Sequence, residues 1–396
     1  MENILFSPRH RLDEDAEREL GRRLEALWDE QKEPSLSDTQ RLNSCLEKIP
    51  VSSFPAPPDK QVVEINSDAS LAEAVQLLAK HKILSSPVRD INAPEDATWI
   101  DKYIGIVEFA GIAVWLLQQS EAFGINSGSE AAMGGDFFEM LTSSEFYRET
   151  KVKDISGSFR WAPFLPLHPS DSFLTMLLLL SKYRMKSLPV VDIGEGKIGN
   201  IVTQSAVVHM LSKFVGLPWF ETWGNSTLSE LGLPVMKPDQ MVKLIEDQPV
   251  LQAFKLMSEK RVGGLPIIEK EGNKVVGNIS LRDIQFLLMA PEIYEEFRSV
   301  TAKAFCTAVR SHLRLKQEAS PLLEDVITCQ KTDTIEKVIL KLDNARIQRI
   351  YVVNSHGDLE GVVTLRDIIS TFVQEPPGYF GDFFYQVVPL PINSSV

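Results

Sequence analysis

The sequence predicts a mixed α/β (α+β) fold built from four copies of one small unit. Four segments place apolar residues at relative positions 0, +3, +4 and +7, which is the buried stripe of an amphipathic helix. Two short β-prone runs follow each segment, and a second apolar helix closes each unit. Because a unit of ~60 residues buries little surface alone, we expect two modules, pairing repeat one with two and three with four.

The first helix of each repeat is predicted from its apolar stripe. All sixteen stripe positions are apolar. They are Leu71, Ala74, Val75 and Leu78; Phe173, Met176, Leu177 and Leu180; Val250, Ala253, Phe254 and Met257; and Ile335, Val338, Ile339 and Leu342.

The strands are placed by an anchor residue that lies sixteen positions after each stripe begins. The anchors are Pro87, Pro189, Pro266 and Tyr351. Each anchor opens a β-prone run such as PVVDI, and a second run such as GNIVTQ follows. A long insertion, NAPEDATWIDKY, separates the two strands of repeat one, whereas short polar turns separate those of the others.

These patterns divide the chain into repeats and flanking segments. The repeats are predicted at residues 61–121, 151–214, 226–290 and 321–374. The flanking segments are a flexible tail at 1–25, a helix and linker at 26–60, a loop insertion at 122–150, a helical linker at 291–320 and an aromatic tail at 375–396.

Composition excludes several classes of protein. With 41 basic and 54 acidic residues, the chain has a net charge of -13. A charge of this sign repels nucleic-acid polymers, but the binding of small anions in a local basic pocket stays possible. Three scattered cysteines favour a reducing compartment and argue against a disulfide framework. No apolar run approaches the ~18 residues of a membrane span. We therefore expect a cytoplasmic and/or nuclear protein without a membrane span.

Catalytic and metal-binding motifs are missing from the sequence. The run from Gly194 to Gly199 spells GxGxxG, but it joins two strands of a predicted hairpin, whereas a phosphate-binding loop needs a helix N-terminus. A hairpin turn is therefore favoured over a phosphate loop. The six histidines lack zinc-ligand spacing. We predict no catalytic residue and no metal site.

The helix–strand–strand–helix unit resembles the cystathionine β-synthase (CBS) domain, whose copies pack in tandem as Bateman modules. The resemblance implies four CBS repeats in two Bateman modules. It also bears on Ser280-Leu-Arg-Asp283 and Thr364-Leu-Arg-Asp367, which follow the second strand of repeats three and four. Nucleotide-binding CBS units use such an aspartate to accept hydrogen bonds from ribose. The alternative is a capping box for the closing helix, and both roles are compatible.

Basic residues offer candidate phosphate contacts. Lys186 and Arg349 lie beside the entrance of the first strand in repeats two and four. AMP-sensing relatives carry His-Arg there, whereas this chain has Ser85-Ser86, Lys186-Ser187, Gly263-Gly264 and Gln348-Arg349. The missing histidines and cations argue against tight nucleotide binding.

A further cation, Arg261, recurs with Lys82, Arg184 and Arg346 five residues before each anchor. A cation in the last turn of a helix complements the macrodipole, so this structural role competes with phosphate binding.

The tail from Gly378 onward is rich in aromatic residues. Exposed, its five rings would form an apolar patch. We favour docking on the chain's own domain over contact with a partner protein. The rings are those of Tyr379, Phe380, Phe383, Phe384 and Tyr385.

Several longer phrases extend the resemblance, among them WIDKYIGIVEF, SFLTMLLLLSKYRMKSLPVVD and GYFGDFF. From Leu27 to the C-terminus the chain resembles the plant gamma-type regulatory subunits of sucrose-non-fermenting-related protein kinases, relatives of the AMP-activated protein kinase gamma subunit. The resemblance implies a non-catalytic subunit in a heterotrimer with a kinase alpha subunit and a beta scaffold. Its expected role is energy or carbon-status signalling, with no required cofactor and AMP, ADP or ATP as a ligand.

Two alternatives differ from this hypothesis in class. A structural adaptor with vestigial pockets is favoured by the lack of a carboxylate in repeats one and two. An enzyme regulated by CBS domains is disfavoured, because four repeats and their linkers account for the chain.

Overall fold

The structure is a computed structural model that describes residues 14–31, 35–55, 62–81, 83–99, 101–122, 145–156, 162–183, 185–192, 194, 196–236, 238–289, 300–316, 323 and 325–381. Among the residues described ahead of the repeats are two α-helices, α1 (Glu14–Glu30) and α2 (Asp38–Glu47). No helix within these ranges is long and apolar enough to cross a membrane.

Helix α1 corrects the prediction of a flexible tail over residues 1–25. Residues 1–13 lie outside the described part, but from Glu14 onward the chain is helical. Leu20, Leu24 and Trp28 are buried in one stripe with a spacing of four residues. The charged residues around them hide this stripe in the sequence.

Each repeat has the predicted order of elements. Repeat one contains β1 (Ile65–Asn66), α3 (Leu71–Lys80), β2 (Ser85–Arg89), β3 (Tyr103–Glu108), α4 (Phe109–Ala122) and then α5 (Glu145–Glu149). Repeat two contains α6 (Phe173–Ser181), β4 (Ser187–Asp192), β5 (Lys197–Thr203), α7 (Gln204–Lys213) and α8 (Pro218–Gly224).

Repeats three and four follow the same plan. Repeat three contains β6 (Leu244–Ile245), α9 (Val250–Glu259), β7 (Gly264–Ile268), β8 (Val275–Ser280), α10 (Ile284–Met289) and α11 (Ala302–Leu315). Repeat four contains β9 (Thr328–Cys329), α12 (Ile335–Asn344), β10 (Arg349–Val353), β11 (Leu359–Thr364) and α13 (Leu365–Phe372).

The four sheets share one register. In each sheet, the strand that follows the first helix of the repeat pairs antiparallel with the next strand. The first residue of the one lies opposite the last residue of the other. These pairs are Ser85 with Glu108, Ser187 with Thr203, Gly264 with Ser280, and Arg349 with Thr364. A short parallel strand completes the sheet in repeats one, three and four, and a single bridge between Leu167 and Val190 replaces it in repeat two.

Two kinds of contact join the repeats. Small clusters between sheets connect repeat one with two, around Tyr103 and Val191, and repeat three with four, around Ile268 and Tyr351. Larger clusters between helices connect repeat one with three and repeat two with four. The contacts between sheets join the repeats into the two expected modules, and the contacts between helices pack one module against the other.

Three predicted boundaries change in the structure. Residues 151–155, assigned to repeat two, complete repeat one: the amide of Val152 donates to the carbonyl of Ala69 at 2.8 Å, and Ile155 joins the same core. The loop insertion at 122–150 contains α5, with 123–144 outside the described residues. In the linker at 291–320, α11 packs against α9 of repeat three. Local periodicity does not reveal these long-range contacts.

The described part of the aromatic tail docks on the chain itself. The hydroxyl of Tyr379 donates to Oε2 of Glu47 at 2.7 Å and lies 2.8 Å from Oγ1 of Thr175. Phe380 packs edge-on against Tyr183, with ring centroids 5.1 Å apart. These contacts tie the tail to α2 and repeat two. Phe383, Phe384 and Tyr385 lie outside the described residues.

Candidate functional site

Ser280 and Asp283 form a closed hydrogen-bonded turn where β8 ends. The amide and the hydroxyl of Ser280 both donate to Oδ2 of Asp283, at 2.7 and 2.9 Å. Asp283 is only 2% exposed. The capping-box alternative is therefore present at this junction, and ribose contact by Asp283 stays a prediction.

The environment of Asp283 disfavours its charge. Burial raises the pKa of the Asp283 carboxyl above its ordinary value, and the bonds from Ser280 and the charges of Arg282 and Arg349 offset part of that rise. A hydrogen-bond donor therefore stabilises the ionised, buried Asp283 carboxylate more than it would stabilise a carboxylate in water.

Thr364 and Asp367 repeat the arrangement at the end of β11. The amide and the hydroxyl of Thr364 donate to Oδ2 of Asp367 at 2.8 and 2.7 Å. Asp367 is only half-buried, whereas Asp283 is buried. The two junctions therefore share their hydrogen bonds but differ in access to solvent.

Arg349 reaches from repeat four into repeat three. Its guanidinium lies over Gly264, where a Cβ would overlap it. Its charge acts on Asp283 and on the hydroxyl of Tyr351, which donates to Oδ1 of Asn278 at 2.6 Å. The structure thus brings Ser280, Asp283 and Arg349 together across the contact between repeats three and four.

Two residues near Asp283 were not predicted. Cys306 on α11 lies with Sγ 4.0 Å from the carbonyl of Asn278, and Arg310 lies one helical turn further along. Burial, with the charge of Asp283, raises the pKa of the Cys306 thiol to about 12, and Arg310 opposes that rise. Their spacing of four residues on a helix next to the repeat was the available signal.

Lys186 belongs to the other module. Its Nζ lies 3.8 Å from Oε1 of Glu108, with side chains 32% and 17% exposed. Glu108 ends β3, as Ser280 ends β8. The register also corrects one comparison: the counterpart of Arg349 in repeat one is Ser85, so the pair there is Leu84-Ser85, not Ser85-Ser86.

Arg261 lies apart from these contacts. Helix α9 ends at Glu259, and Arg261 follows in the left-handed region with φ 54°. Arg346 behaves likewise after α12, with φ 55°. Arg261 therefore lies two residues past the end of α9 and not in its last turn, and it is exposed, as a cation at a helix end is expected to be. Its phosphate role stays a prediction.

The glycine-rich run joins β4 to β5, which pair antiparallel as a hairpin. Gly196 takes φ 64°, the left-handed region that glycine adopts readily in tight turns. The hairpin interpretation is therefore confirmed for Gly194 and Gly196. Within the described ranges, no group of three or more His, Cys, Asp or Glu side chains has an arrangement that could hold a metal ion.

The chain is similar to known proteins over most of its length. The CBS-domain family model matches residues 232–290 and 322–374, which fall on repeats three and four. In Arabidopsis thaliana, the SNF1-related protein kinase regulatory subunit gamma-1 is 58% identical over 96% of this chain and 94% of its own length. A gamma-1-like subunit from the same plant is 36% identical over 87% of this chain and 89% of its own.

More distant similarities extend beyond plants. The pig 5'-AMP-activated protein kinase subunit gamma-3 is 27% identical over 57% of this chain and 40% of its own length. A solved protein of Methanocaldococcus jannaschii, described as a candidate archaeal homologue of the gamma subunit, superposes with a TM-score of 0.54 at 15% identity, over 82% of this chain and all of its own. That likeness shows the fold alone. By the plant relatives, the chain belongs to the family of SNF1-related protein kinase regulatory gamma subunits, and its role in the kinase is regulatory, not catalytic.

Proposed function

We propose that this chain is the gamma subunit of a heterotrimeric serine/threonine kinase, assembled with a catalytic alpha subunit and a beta scaffold. The proposal rests on its 58% identity with the Arabidopsis gamma-1 subunit along nearly the whole chain. Its work is energy or carbon-status signalling, in the cytoplasm or nucleus. It needs no cofactor of its own.

Affinity purification of the tagged chain from plant extract tests the assembly. We expect a protein kinase catalytic chain and a beta-type scaffold to co-purify in fixed ratio. A catalytic chain that is reproducibly missing, while the tagged chain is recovered folded, would contradict the proposal.

We further propose that the second module, repeats three and four, takes an adenine nucleotide such as AMP, ADP or ATP. The observation that carries this proposal is the grouping of Ser280, Asp283 and Arg349 across the repeat contact. Asp283 and Asp367 would accept hydrogen bonds from ribose, while Arg349 would face the phosphate. Lys186 and Arg261 have less support, since Lys186 faces Glu108 and Arg261 is exposed.

Nucleotide can regulate the kinase only if it binds one conformation of the assembly better than another. Arg349 offers a physical route, since phosphate would compete with Asp283 for the guanidinium. That competition would alter the contact between repeats three and four.

Calorimetric titration of the full chain with AMP, ADP and ATP tests the ligand. We expect Asp283→Ala or Asp367→Ala to weaken binding more than about tenfold, the effect of losing a hydrogen bond to a charged group. Glu108→Ala, at the equivalent junction of repeat one, should leave the affinity unchanged. If both aspartate variants bind as the parent does, the ribose assignment is wrong.

The alternative is a structural adaptor without nucleotide. It is favoured by repeats one and two, where Gly111 and Ala206 stand at the positions of Asp283 and Asp367. A titration that gives no heat at millimolar nucleotide would support the adaptor.

A further inference from the structure

A buried polar network joins α1 to the contact between repeats two and four. His209 on α7 lies between two carboxylates: Nδ1 is 3.0 Å from Oδ2 of Asp343 on α12, and Nε2 is 3.3 Å from Oε1 of Glu17 on α1. The hydroxyl of Ser212 donates to the same oxygen of Asp343 at 2.9 Å. The Glu17 and Asp343 side chains are 3% and 8% exposed, and that of His209 is 19% exposed.

This geometry favours a shared proton, because Oε1 of Glu17 is buried without a hydrogen-bond partner in the described part of the chain. A neutral imidazole has one N–H and can donate to one carboxylate only, whereas an imidazolium donates to both. Each ring nitrogen of His209 faces a carboxylate oxygen. A proton held between Nε2 and Oε1 would give the second carboxylate a partner, and that proton would be lost at high pH.

We propose that Glu17, His209 and Asp343 form a proton-dependent latch that holds helix α1 across the contact between repeats two and four. When the proton is present, each carboxylate faces a donor. When it leaves, two buried carboxylates face one N–H, and α1, which carries Glu17, is the element that would separate from the other two.

Neighbouring charges only partly offset the cost of burying the Glu17 and Asp343 carboxylates without the proton. Lys213 on α7 acts favourably on Glu17, while Glu14 on α1 and Asp343 on α12 oppose its ionisation. Among these groups three acids, Glu14, Glu17 and Asp343, face a single lysine. Apolar contacts of Leu20, Leu24 and Trp28 still hold α1 after the proton leaves, so the latch weakens docking without abolishing it.

The direction of the pH dependence follows from Glu17. Burial raises the pKa of the Glu17 carboxyl above its ordinary value. The docked state therefore binds the proton more tightly than the released helix does. Docking is fully favoured below that ordinary value and weakens as pH rises through the raised one.

Hydrogen exchange of the α1 amides in the full chain, corrected for intrinsic rates, tests the latch between about pH 4 and pH 8, a range that begins near the ordinary pKa of a glutamate. We expect protection of residues 20–28 to fall with rising pH, by at most about tenfold per unit for one linked proton. In Glu17→Gln the dependence should flatten, since the amide donates to Nε2 without titrating. Asp343→Asn should flatten it too, because a neutral imidazole then has one carboxylate to satisfy.

Glu19→Gln is the matched control. Its side chain is 74% exposed on the same helix, so it should keep the parent's dependence. Protection that does not vary with pH in the parent chain would overturn the proposal. So would the parent's slope persisting in both Glu17→Gln and Asp343→Asn.

Discussion

The two modules have the same strand register but different side chains where the second strand meets the closing helix. In repeat two the hydroxyl of Thr203 accepts from the amide of Ala206 at 3.1 Å, with no carboxylate three residues on. In repeats three and four that carboxylate is present, as Asp283 and Asp367. A hydroxyl alone can therefore start the closing helix, so the aspartates exceed what the fold needs at this junction.

The basic residues near these junctions also differ between the two modules, in how far water reaches the acids beside them. Lys186 pairs with Glu108 at 3.8 Å, with both side chains partly in contact with solvent. Arg349 instead acts on Asp283, which is 2% exposed. Water screens the first pair and hardly reaches Asp283 in the second, so equal chemical changes should have unequal effects in the two modules.

The largest difference is expected from removing the acid in each module. Asp283→Ala leaves the amide of Ser280 unpaired and removes the buried negative charge that acts on Arg282 and Arg349, which should cost about 2–4 kcal/mol. Glu108→Ala breaks a partly exposed pair and should cost less than about 1 kcal/mol. Urea unfolding of the full chain measures both. Equal shifts would show that burial does not distinguish the two junctions.

A smaller effect is expected at the close approach between repeats three and four. In Gly264→Ala the new Cβ would overlap the Arg349 guanidinium and lie 2.8 Å from the carbonyl oxygen of Ile279. Overpacking of this kind should cost about 1–3 kcal/mol. The matched change in module one, Ser85→Ala, adds no atom and should stay within about 0.5 kcal/mol.

The double variant Gly264→Ala with Arg349→Ala separates the two clashes in the same unfolding experiment. Removing the guanidinium should recover part of the loss, because the Ile279 clash remains. Strictly additive losses would mean that Arg349 does not rest on Gly264.

The local parts of this fold could be predicted because backbone geometry sets their period. Helices α3, α6, α9 and α12 begin at the predicted first stripe residue, and all sixteen stripe positions are buried. A stripe indicates that a face is buried, but not what covers it. The packing of repeat one on three and of two on four could not be read from spacing.

In the candidate site, too, the local contacts could be predicted from the sequence and the long-range contacts could not. Ser280 with Asp283 and Thr364 with Asp367 were predictable, since each contact spans three residues. The approach of Arg349 to Gly264 joins residues 85 positions apart in sequence, in different repeats. Cys306 and Arg310 come from a helix outside the predicted repeat. Their four-residue spacing places them on one face of that helix but does not show what the face packs against.

The smallest expected effect tests whether Asp283, in the second module, carries a negative charge in the native chain. The Cys306 thiol has a pKa of about 12, partly because Asp283 lies near it, so very little thiolate is present at pH 8. Asp283→Asn removes that negative charge, which should lower the thiol pKa and speed alkylation by iodoacetamide severalfold, staying below about tenfold. Cys329 is the internal control, because burial raises its pKa to about 12 and the charges that act on it, those of Lys341, Asp333 and Lys337, do not include Asp283. Faster alkylation at both cysteines would indicate general opening, whereas an unchanged rate at Cys306 would mean that Asp283 is uncharged in the native chain.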